Sequence, residues 1–144
     1  MKKFLLLFVG LLLSSNSFSR SVDCSNYPHD FSEHGSKVTV DVFKDVETWA
    51  MLISVPDSID NVDFWGMDLA KGKNLKLNDK GLELSLSLAA GVHNGKATAG
   101  LFINDTMLEG MLLIVSYGNS DCQTSFNVQL KKYVPKPSKD SETE

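Results

Sequence analysis

Apolar and polar residues alternate with a period of two along most of this chain. Leu82, Leu84, Leu86 and Leu88 are separated by Glu83, Ser85 and Ser87. An extended strand over these residues turns one face apolar and the other polar. Val38, Val40 and Val42 alternate with Lys37, Thr39 and Asp41 in the same way, and Trp49, Met51, Ile53 and Val55 form a third row. Further strand-like runs cover 62–69, 97–103, 108–117 and 125–134, the last with Phe126, Val128 and Leu130 inward. Turn signals separate them: Pro56-Asp57, Lys71-Gly72, Asn78-Asp79-Lys80-Gly81, Asn94-Gly95, Asn104-Asp105 and Gly118-Asn119. Asn94-Gly95 suits a two-residue hairpin turn, in which both central residues need positive φ. Seven to eight short strands at this spacing predict an all-β fold, an antiparallel β-sandwich. No helical period emerges downstream of the N-terminal apolar run, and 20–36 reads as irregular with room for one short helical turn.

The N-terminus changes the picture. Lys2 and Lys3 precede an apolar run from Phe4 to Leu13, and a polar stretch then ends in Ser17-Phe18-Ser19. Small residues at −3 and −1 of a cut after Ser19 make 1–19 a secretory signal peptide of bacterial style. Residues 20–134 form the expected sandwich domain, and 135–144, opened by Pro135-Lys136-Pro137, read as a disordered polar tail. Asp23 before Cys24 is the wrong residue for lipoprotein cleavage, and no later run approaches the length of a membrane-spanning helix. The expectation is a soluble periplasmic protein, without membrane attachment once the leader is gone. In that oxidising compartment the only two cysteines, Cys24 and Cys122, are expected to pair as a structural disulfide that closes most of the mature chain.

Charge narrows the partners. Losing Lys2 and Lys3 with the leader takes the formal net charge from −4 to −6. An acidic domain with no basic run beyond Lys131-Lys132 is a poor nucleic-acid binder, because phosphate neutralisation needs clustered Lys and Arg. It is suited to a basic partner. Seven acidic residues fall between Asp41 and Asp68, opposed only by Lys44. Asp57, Asp60 and Asp63 sit around a loop at 56–61. Their spacing lacks the Gly and closing Glu of a calcium-binding EF-hand, so no metal is expected there.

Candidate chemistry is sparse. His29 and His34 lie in a segment read as a solvated loop, with no free cysteine to complete a zinc site. No Gly-x-Ser-x-Gly elbow supports a hydrolase, and no cofactor motif occurs, so the chain is read as a non-enzyme. Trp49 shares parity with Met51, Ile53 and Val55 and belongs to the core. Trp65 is ambiguous: it shares parity with Asp63, Met67 and Leu69, yet stands beside carboxylates where an aromatic anchor would serve an interface. The Asn104-Asp105-Thr106 sequon carries no weight behind a bacterial leader.

Taken together, leader, Cys24 near the mature start, β-rich middle and Asp121-Cys122 before the last strand resemble the periplasmic immunity proteins that guard against type VI secretion cell-wall hydrolases. The resemblance implies an inhibitor that inserts loop or strand residues into the active site of a basic peptidoglycan hydrolase, often as a homodimer. No family residue is carried over. Asp57, Asp60, Asp63 and Trp65 are the expected partner contacts, from their charge and loop position. A carbohydrate-binding module and a pilus-like surface subunit are the alternatives that the same sandwich admits.

Overall fold

A computed structural model describes residues 23–28, 31–72 and 82–135. The expected leader, His29, Asp30 and nearly all of the tail lie outside these residues. The strands are β1 (Thr39–Asp45), β2 (Thr48–Pro56), β3 (Ser58–Ile59), β4 (Val62–Gly72), β5 (Leu82–Leu88), β6 (Ala90–His93), β7 (Lys96–Asn104), β8 (Met111–Gly118) and β9 (Gln123–Gln129). All pairings are antiparallel. One sheet has the order β1-β2-β7-β6; the other runs β3-β4-β8-β9, with β5 also on β4.

The alternating rows decide which faces meet. Met51, Ile53 and Val55 of β2 and Ala97, Ala99 and Ile103 of β7 are buried from one sheet. Met67 and Leu69 of β4, Leu113, Val115 and Tyr117 of β8, and Phe126 and Val128 of β9 meet them from the other. Each of the larger aliphatic and Phe side chains contributes about 1.5–3 kcal/mol by leaving water, and the alanines less. Tyr117 anchors one end of this core: its ring stacks on Phe126 and meets Phe64 edge-on, while its hydroxyl donates to Pro56 O at 2.8 Å. The antiparallel sandwich and its staple are as the sequence led us to expect, with Cys24 bonded to Cys122 across a separation of 98 residues.

Two boundaries and the burial of one residue differ from the sequence reading. The run 108–117 begins as strand only at Met111, because Asp105–Leu108 forms a single helical turn capped by Asn104 Oδ1, which accepts from Met107 N–H at 2.7 Å. The last strand stops at Gln129, and Leu130–Tyr133 turns as a 3-10 helix that buries Leu130. His34 is buried rather than solvated. Ser32–Lys37 winds as a 3-10 helix against β9, and His34 meets the ring of Phe31 edge-on at 4.6 Å.

Candidate functional site

Pro56 ends β2, and the chain crosses to the second sheet through the residues expected to touch a partner. Asp57 N–H donates to Gly95 O at 3.1 Å, and Phe64 N–H donates to Asp57 O at 2.8 Å. These bonds fasten the crossing to the β6–β7 turn on one side and to β4 on the other. Between them β3 and the start of β4 form a hairpin, with Ser58 opposite Asp63 and Ile59 opposite Val62. Its two central residues, Asp60 and Asn61, have φ of 51° and 63°. This is the two-residue turn with both φ positive, which Asp and Asn tolerate and which matches strand twist. The Asn94-Gly95 turn has the expected positive φ at both residues as well.

Asp60 projects from the hairpin tip, with Oδ2 3.4 Å from His34 Nε2, and Glu33 Oε1 lies 3.6 Å from the same nitrogen. Asp63 is exposed and Asp57 half-buried. Trp65 is 50% exposed, and the reason is a β-bulge. Phe64 pairs with Tyr117 and Gly66 with Ser116, so Trp65 is the extra residue between them. The bulge breaks the parity that seemed to join Trp65 to Met67 and Leu69. All four expected contact residues therefore share one end of the sandwich. They do not converge on a point: among the described residues, no three His, Cys, Asp or Glu side chains gather as metal ligands would.

The chain matches no protein-family model, no curated protein and no solved structure. Function has to be argued from surfaces.

The opposite end of the sandwich holds an open cleft of about 860 Å³ beside Trp49, Leu108 and Gln129. Trp49 is buried as expected, and its Nε1–H donates to Asp105 Oδ1. Lys44 lies 4.8 Å above the Trp49 ring and 3.9 Å from Asp105 Oδ2, Lys131 pairs with Glu109, and Lys132 lies 4.8 Å over the Tyr133 ring. Much of the charge that lines the cleft is thus engaged within the protein.

Sequence reasoning missed a third feature. Phe43 of β1 and Phe102 of β7 point outward from the four-stranded sheet and are 68% and 80% exposed. The signal was available: Phe43 occupies the polar parity of Asp41 and Asp45, and Phe102 that of Gly100 and Asn104. An aromatic on the solvent row of a strand breaks the alternation that otherwise holds here.

Proposed function

We propose that this chain is an exported, non-catalytic binding protein of the immunity or inhibitor type, directed at a basic cell-wall hydrolase in the periplasm. The observation that carries the reading is the hairpin end bearing Asp57, Asp60, Asp63 and the half-exposed Trp65. A tight turn pinned at its base loses little conformational entropy on docking, so more of its contact energy is retained as affinity. Trp is a frequent hot-spot residue because it buries a large rigid surface. Carboxylates around it steer a basic enzyme and raise its association rate. The expected leader and the bonded disulfide agree with an oxidising compartment.

The test is degradation of purified peptidoglycan by basic hydrolases of the producing strain and its relatives, with and without the oxidised mature protein. Equimolar inhibition of one enzyme is expected. Trp65→Ala should weaken inhibition at least tenfold, about 1.4 kcal/mol, and Asp60→Ala should slow association. Retention on glycan resin with no enzyme bound would instead favour the carbohydrate-binding alternative.

A further inference from the structure

We infer that the outer face of the β1-β2-β7-β6 sheet is a second docking surface, for a basic protein segment presenting an apolar side chain flanked by Arg or Lys. The inference stands apart from the hairpin, which lies about 20 Å further along β2 at the strand's rise per residue. Strand register builds the surface. Phe43 pairs with Ala50 and Ala50 with Phe102, so the three form one row across the sheet. The next row is Asp41, Leu52 and Gly100. The two phenylalanines stand two strand spacings apart, about 10 Å, with Ala50 between them. A Cβ added at Gly100 would meet nothing within 4 Å. The result is a shallow apolar slot between two rings, open to solvent.

The rest of the same face behaves as a solvated sheet should. Thr39, Ser54 and Thr98 form a polar row: Thr39 Oγ1 donates to Ser54 O, and the Ser54 and Thr98 hydroxyls lie 3.3 Å apart. The apolar residues are therefore localised. Phe43, Phe102, Leu52 (44% exposed) and Val46 (88%) together expose on the order of 500 Å², near the upper limit of the largest patch on an ordinary monomer.

Val46 is an independent sign. It sits in the β1–β2 turn with φ 26°, a region in which a β-branched residue is strained. Gly, Asn or Asp would relieve the turn, and an 88% exposed Val gains nothing from packing in return. Strain without a structural benefit clusters at functional positions.

Charge selects the occupant. Asp41, Asp45 and Glu47 are exposed around the patch. Lys44, the cation of this strand, belongs to the other face, where Asp105 and the Trp49 ring engage it. A second copy docked face to face would oppose these carboxylates to their own counterparts. A basic segment would neutralise them while its apolar side chain fills the slot above Ala50.

The experiment is selection of a displayed library of random peptides on the immobilised, oxidised mature protein, with sedimentation of the free protein in parallel. Peptides combining an apolar or aromatic residue with flanking Arg or Lys should be enriched. The Phe43→Ser/Phe102→Ser double variant should weaken their binding at least tenfold, and Trp65→Ala should leave it unchanged. Val46→Asn controls for folding: it should raise Tm by about 3 °C and still weaken binding. Failure to enrich basic peptides, indifference to these variants, or a dimer that dissociates on the Phe102→Ser change would each overturn the inference.

Discussion

Tyr117 shows how one residue couples the two ends of a functional argument, stability and position. Its ring lies fully buried among Phe31, Phe64 and Phe126, and its hydroxyl holds Pro56, the residue from which the acidic hairpin departs. Burial first, and the nearby Asp57 charge second, push its ionisation well above the ordinary value of 10.0. A tyrosine with a raised folded pKa contributes stability that is complete below pH 10. That stability is lost as pH rises beyond 10, because the unfolded chain can ionise there while the folded one resists. Its share of the loss approaches about 1.4 kcal/mol per pH unit. Tyr117→Phe should cost about 1 kcal/mol at neutral pH, through the lost bond to Pro56. It should also flatten the alkaline decline. Urea unfolding of both proteins between pH 8 and 11 checks this, and parallel pH profiles would show that Tyr117 is not the group responsible.

At the scale of elements, the β8–β9 connection is where local geometry is least forgiving. Gly118 ends β8 with φ 131°, and a Cβ there would lie 2.1 Å from Cys122 O. Asn119 closes the loop, its Oδ1 accepting from the N–H groups of Asp121 and Cys122 at 2.9 Å each. The chain thereby delivers Cys122 to its partner. Gly118→Ala should destabilise the oxidised protein by about 2–4 kcal/mol, measured by guanidinium unfolding; a loss under about 1 kcal/mol would mean the loop shifts freely. Gly118-Asn119 was legible as a turn because both residue types carry it, and the strands were legible because their apolar rows keep period two. Trp65 was not, since a bulge is decided by pairing with β8 and leaves no mark on the parity of β4 itself. Leu130 misled for a related reason: it is a buried apolar residue that continues the row of Phe126 and Val128, but the chain has already turned into a 3-10 helix there. Leu108 is buried from the helical turn ahead of β8, off the parity of the Met111, Leu113 and Val115 row. The apolar face was visible as Phe43 and Phe102 on polar parity, yet only the register through Ala50 shows that the two rings share one row.

For the molecule as a whole, the decisive constraint is the bridge between Cys24 and Cys122, whose Cα atoms lie 5.5 Å apart. The segment before β1 is also tied to that end of the sandwich by the Phe31 ring beside Tyr117 and by Asn119 Nδ2–H donating to the Tyr27 hydroxyl at 3.0 Å. A loop of this length removes about 4–5 kcal/mol of chain entropy from the unfolded state. A small domain's entire net stability is about 5–15 kcal/mol. Both cysteines could be assigned to this role from sequence because they are the only two in the chain, whereas the proposed docking surfaces had no such uniqueness. If the bridge acts on the unfolded chain, the Cys24→Ala/Cys122→Ala variant should lose several kcal/mol in urea. It should also unfold with a steeper denaturant dependence than the oxidised protein, because its unfolded state is less compact. Equal slopes with the same loss of stability would place the effect in the folded state, in the packing around Cys122. The hairpin and the outer face stand on the strands themselves. Binding measured on the variant below its unfolding transition should therefore survive, which separates what holds this protein together from what it presents to a partner.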